Sequence, residues 1–86
     1  MKPTDALAQN GFYKQVEQKF TNANGEVTET NEIWGHISGA NTQVMVSQGK
    51  EQVAVFTKDG NTLFAASKYL YANPESLAAI LRELFA

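Results

Sequence analysis

Three features of the sequence predict an α+β fold, in which an antiparallel sheet of four to five strands forms a meander with an amphipathic C-terminal helix packed on one face and a short N-terminal helix. The first is an apolar stripe at helical spacing near the C-terminus. The second is an Asp-Gly turn between two apolar runs of strand type. The third is the shortness of the connections, because consecutive strands joined by short loops pair with one another.

The N-terminal helix is read at Thr4–Gln9, with Gly11 interrupting any longer run. Residues 12–37 allow two readings. Phe12, Val16 and Phe20 recur every four positions, which suits either period, and Lys14-Gln15-Val16-Glu17-Gln18-Lys19 has good helix propensity. A helix would end at Asn24-Gly25, with glycine as its left-handed cap. A hairpin would instead fold residues 12–21 onto Glu26–Ile37 across Asn22-Ala23-Asn24-Gly25. In the simplest register Phe20 faces Val27, Val16 faces Asn31, Lys14 faces Ile33 and Tyr13 faces Trp34. One side then gathers Phe12, Val16, Phe20, Val27 and Ile33, while the other gathers Tyr13, Gln15, Glu17, Thr28, Thr30, Glu32 and Trp34. That sorting favours the hairpin.

A further strand is read at Thr42–Ser47, turning through Gln48–Glu51. Val53–Thr57 and Thr62–Ala66 flank Lys58-Asp59-Gly60-Asn61, whose Asp-Gly pair suits the turn that right-twisted strands prefer. Here Phe56 falls opposite Leu63 and Val55 opposite Phe64, so neither face of this hairpin is polar. Such strands belong in the middle of a sheet, covered on both sides. The C-terminal helix starts with Asn73 as cap, Pro74 in first position and Glu75 in the first turn. Its apolar stripe is Leu77, Ile80, Leu81, Leu84 and Phe85.

Composition narrows the function. Eighty-six residues give room for one domain, spanning 1–86, and 43% hydrophobic against 19% charged residues excludes the disorder signature. The absence of cysteine excludes a disulfide scaffold, a thiol nucleophile and cysteine-ligated metal. A net charge of −2 has the wrong sign for an electrostatic binder of nucleic acid. No apolar run approaches the roughly 20 residues that cross a bilayer, and no signal region follows Met1-Lys2-Pro3-Thr4-Asp5, so a cytoplasmic location without membrane contact is expected. In size, mild acidity and lack of motifs the chain resembles the small immunity and inhibitor proteins of bacteria and phages. That resemblance carries no motif and assigns no residue a role.

Chemistry finds few groups to use. The one histidine, His36, has Ser38 about 7 Å away and Glu32 about 13 Å away along an extended strand, beyond the reach of a nucleophile and its base. No metal-ligand spacing or phosphate-binding loop occurs, so no catalytic residue, cofactor or metal is predicted.

A partner surface is the stronger expectation. If Val27, Ile33 and Ile37 face the core, strand alternation turns Trp34 outward with Glu32 and His36, and Tyr13 becomes its cross-strand neighbour. Tyr13, Glu32, Trp34 and His36 are therefore the predicted partner-binding residues, exposed aromatics being the usual anchors of an interface. The competing reading has another element cover Trp34, or a bulge at Gly35 turn it inward. From Thr21 to Gly49 there is no Lys or Arg, although Glu26, Glu29 and Glu32 do not share one face. The apolar face left over by a single C-terminal helix admits another protein or a second copy of the chain. The expected function is a non-enzymatic protein-binding module of the inhibitor, immunity or accessory kind. Single-stranded nucleic-acid binding through sheet aromatics is the alternative, disfavoured by charge, and a small enzyme follows it.

Overall fold

The computed structural model describes residues 1–85. The chain runs through α1 (Pro3–Gln9), β1 (Phe12–Thr21), β2 (Val27–His36), β3 (Thr42–Ser47), β4 (Gln52–Thr57), β5 (Thr62–Ser67), α2 (Lys68–Ala72) and α3 (Pro74–Leu84). The strands form one antiparallel sheet in the order β1-β2-β3-β4-β5, a meander. The α+β class, the sheet and both terminal helices match the sequence expectation. Residues 12–21 are a strand. The hairpin tip explains why: Asn22 Oδ1 accepts hydrogen bonds from the backbone N–H groups of Asn24 and Glu26 at 2.9 and 3.1 Å. Gly25 closes the turn at φ +80°, where a side chain would be strained.

The core lies on one face of the sheet. Val44 and Val46 of β3 and Val53 and Val55 of β4 are fully buried beneath Leu7 of α1, Leu70 of α2 and Leu77 and Leu81 of α3. At roughly 1.5–3 kcal/mol per large apolar side chain, this cluster is the main favourable contribution to folding. Much of it offsets the entropy of ordering the chain. The opposite face carries no described helix.

The β1–β2 register departs from the simplest one. Lys14 pairs with Trp34, Val16 with Ile33 and Phe20 with Glu29, which leaves Gln15 as an extra residue in a bulge. The bulge reverses the alternation along β1. Phe12 and Lys14 point to the helix side, whereas Val16, Gln18 and Phe20 point to the open side, so Phe12 does not share a face with Val16 and Phe20. β2 also turns the other way from the expectation. Trp34 lies beside Val44 and Ile33 beside Met45, so registration with the β3 valines puts Glu32, Trp34 and His36 on the helix side. Ile33 faces outward because the helices follow the valines.

Further differences concern the second half. β4 is central, but β5 is an edge strand, and Phe56 pairs with Thr62 instead of Leu63. The short helix α2 precedes α3, started by Ser67, whose Oγ accepts from the Leu70 N–H at 3.2 Å. α3 buries Leu77, Ala78 and Leu81 while Leu84 stays exposed, so the buried stripe is rotated from the expected one. Asn73 sits at the cap position of α3, but its side chain donates to the Tyr69 carbonyl and caps no N–H.

β3 pairs with β2 only from Asn31 to Gly35. The outer part of the β1–β2 hairpin therefore projects as a two-stranded ribbon, and the molecule measures 46 × 25 × 21 Å.

Candidate functional site

The four residues singled out from the sequence fall into three environments. Glu32 and Trp34 line a cleft of about 800 Å3 on the helix side of β2, together with Lys14, Gln48, Glu51 and Tyr71. Glu32 is only 8% exposed, and its charge is held by neighbours on this chain. Its Oε1 accepts from the Trp34 indole N–H at 3.2 Å and from the Gln48 amide at 3.4 Å. The Lys14 ammonium lies 3.8 Å from Oε2 and 3.5 Å from the Glu17 carboxylate. Tyr71 closes the network by donating its hydroxyl hydrogen to Gln48 Oε1 at 2.7 Å. Burial first, then the charges of Glu51 and Glu32, push the Tyr71 phenol above its usual pKa. Trp34 packs against the core as well, so it is not the outward anchor that alternation suggested.

His36 lies at the far end of β2 and locks the helices to the sheet. Its Nε2 is 3.0 Å from the Asn10 carbonyl oxygen, which can only accept, so Nε2 carries the hydrogen. Nδ1 then accepts from the Ser38 backbone N–H at 3.2 Å, with the Ser38 hydroxyl at 2.7 Å. The ring stacks on Phe85 and meets Phe12 edge-on. Gly11 is required beside it: φ is +82°, and a Cβ there would come within 2.8 Å of His36 Nε2. Both ring nitrogens are thus hydrogen-bonded within the chain, Nε2 to Asn10 and Nδ1 to Ser38. Among the described residues no group of three or more His, Asp or Glu side chains could hold a metal.

Tyr13 points to the open face and pairs with Gly35, not Trp34. Over Gly35, which leaves no room for a Cβ, lies the Gln15 side chain. Gln15 donates to the Tyr13 hydroxyl oxygen at 3.1 Å and accepts from the Gln43 amide at 3.1 Å. Across the middle of this face runs the row Val16, Ile33, Met45 and Ala54 on four successive strands, with Phe20 and Phe56 to either side. Val16 is 55% exposed and Phe20 40%. In β1 to β4 the charged residues are Lys14, Glu17, Lys19, Glu29 and Glu32, and of these the register leaves only Glu29 on the open face. Its carboxylate accepts from the Ser47 hydroxyl at 3.0 Å.

The structure thus brings Glu32 and Trp34 together, sets His36 apart and separates Tyr13 from all three. Sequence reasoning did not find Lys14, Gln48 or Tyr71 at the cleft, because they come from three elements that no local pattern connects. The open-face row was legible in part, as alternating apolar residues in β1 and β2. Comparison with protein-family models, with curated proteins and with solved structures finds no match for this chain.

Proposed function

We propose that this chain is a non-enzymatic protein-binding module that engages another protein through the helix-free face of its sheet, from Tyr13 and Val16 to Met45 and Phe56. One observation carries the reading: exposed or half-buried apolar side chains, Val16, Ile33, Met45 and Phe56, lie on four successive strands of a face on which β1 to β4 present a single ionised group, Glu29. Depletion of charge and enrichment of aromatic residues and Met mark the core of protein interfaces. The Gln and Asn side chains around the row supply the polar rim. The face presents no Lys or Arg from β1 to β4, which favours a protein over the phosphate backbone of nucleic acid as its partner. The cleft at Glu32 fits a structural role, since its carboxylate is already met by Trp34, Gln48 and Lys14. An inhibitor, immunity or accessory role is the natural use of such a module.

The test uses the wild-type chain and a Val16→Ser/Phe20→Ser variant as baits in extracts of the source cells, with captured proteins identified by mass spectrometry. The expected result is a specific partner that the variant loses while its melting temperature stays close to wild type. Equal capture by both baits would reject this face as the binding surface.

A further inference from the structure

The sequence holds two Asn-Gly pairs, Asn10-Gly11 and Asn24-Gly25. Asparagine loses its side-chain amide most readily in this pairing, because glycine, without a Cβ, lets its backbone nitrogen reach the preceding side chain. The fold treats the two pairs differently. Asn10 follows α1 and is half-buried, and its side-chain amide donates to the Ala6 carbonyl at 2.7 Å. Its own carbonyl accepts from His36 Nε2 at 3.0 Å, and the imidazole lies close against Gly11. Asn24 is exposed at the tip of the β1–β2 ribbon. Its backbone N–H is held by Asn22 Oδ1 at 2.9 Å, but its side-chain amide has no hydrogen-bond partner among the described residues. Around Gly25 the space is open, and its N–H donates to the Asn22 carbonyl at 3.0 Å, an exposed turn bond of the kind that opens readily.

We infer that Asn24 is a site of spontaneous deamidation in the folded protein, and that the fold protects Asn10 from the same reaction. The Gly25 backbone nitrogen, giving its proton to water or hydroxide, attacks Asn24 Cγ. The new N–C bond closes a succinimide ring, the Cγ–Nδ2 bond breaks, and the amide nitrogen leaves as ammonia. Water then opens the ring at either carbonyl. Opening at Cγ leaves an ordinary aspartyl residue. Opening at the backbone carbonyl leaves an isoaspartyl residue, whose chain continues through the former side chain. Either product adds one negative charge beside Glu26, in a chain of net charge −2. The isoaspartyl form also lengthens the backbone between Asn22 and Gly25 by one methylene, which strains the turn bond between them. Ring closure at Asn10 must instead break the bonds to Ala6 and His36 before the atoms can meet. The tip lies outside the row of apolar residues on the helix-free face, so this chemistry is independent of binding there.

Incubation of the whole chain at mildly alkaline pH, with and without urea, tests the inference. Trypsin cleaves at Lys14 and Lys19, which puts the two pairs on separate peptides, and tandem mass spectrometry follows the exchange of amide for acid in each. In the folded chain Asn24 is expected to convert to a mixture of aspartyl and isoaspartyl forms, with Asn10 slower by roughly tenfold or more for its two bonds. In urea the two rates should become similar, since the difference belongs to the fold. Asn24→Gln should abolish the acidic form that accumulates in the folded protein, because the longer side chain closes its ring far more slowly. Conversion of Asn24 in urea but not in the folded chain overturns the inference. So does conversion of Asn10 as fast as Asn24 in the folded chain, a rate difference that persists in urea, or an acidic form that survives Asn24→Gln.

Discussion

The imidazole of His36 and the ring of Phe85 lie 4.1 Å apart between centroids, with their planes 14° from parallel. Phe12 meets both rings edge-on, at 5.0 and 5.6 Å. The cluster ties the end of α3 to the start of β1 and the end of β2. Phe85→Ala is expected to cost about 2–3 kcal/mol, from lost burial and lost ring contacts. For a domain of this size the melting temperature should fall by roughly 10–20 °C. A thermal melt followed by circular dichroism checks it, and an unshifted transition would place Phe85 outside the cooperative core.

Trp34 gives a prediction opposite to the one its sequence position suggests. An outward anchor could be removed with little loss of stability. Here the ring packs against the core and its N–H is bonded to Glu32, so Trp34→Ala should cost about 2–4 kcal/mol. Trp34→Phe should cost less, keeping part of the packing and losing a hydrogen bond worth about 1 kcal/mol. Urea titration read in the far ultraviolet measures both, since the chain has one tryptophan and the variants lose its fluorescence.

Glu17 and Glu32 stand directly opposite each other on β1 and β2, with the Lys14 ammonium within 4 Å of both. Removing Lys14 leaves like charges facing across the strands. Lys14→Met should cost about 0.5–1 kcal/mol at low salt, a value already reduced for the exposure of Lys14 and Glu17, and less at high salt. Adding Glu17→Gln to Lys14→Met should restore most of the loss. A double-mutant cycle showing no coupling between the two positions would refute this arrangement.

Tyr71 makes stability fall on the alkaline side. Its folded pKa is raised above the ordinary value near 10, so the folded state holds the phenolic proton more tightly than the unfolded state does. This contribution is complete below pH 10 and is lost as pH rises through the folded pKa. Tyr71→Phe should therefore show a shallower alkaline decline. At neutral pH it should be weaker than wild type by about 1 kcal/mol, for the lost bond to Gln48. Stability measured against pH from neutral to strongly alkaline tests both parts, and an unchanged alkaline slope would contradict the first.

Much of the fold was legible because its signals are local. Asn22–Gly25 and Asp59–Gly60 mark the turns, Thr42–Ser47 holds a short apolar run, Val44-Met45-Val46, between polar residues, and Pro74 begins a helix where its missing N–H is harmless. The bulge at Gln15 was not legible. A glutamine carries no backbone preference that announces an extra residue, and the bulge is held by the Gln15 amide lying over Gly35, a contact between two strands. Once that residue is inserted, every side chain of β1 beyond it changes face. The face of β2 was misread for a related reason. Ile33 and Trp34 are both large and apolar, so alternation by itself cannot say which of them meets the core.

By itself the sequence determined most of the elements, their order and their meander pairing, while it left residues 12–21 open between strand and helix and gave no sign of α2. It also carried the exclusion of cysteine chemistry and the scarcity of titrating groups. Those follow from backbone preference, turn chemistry and composition, which act within a few residues. Only the tertiary structure decided which side of the sheet the helices cover. Four buried valines of β3 and β4 recruit all the helices to one face, and strand registration carries that choice outward to β2. That one decision buries Glu32, draws Trp34 against the core, turns His36 into a clamp for Phe85, and leaves Val16, Ile33 and Met45 on a face that no described helix covers.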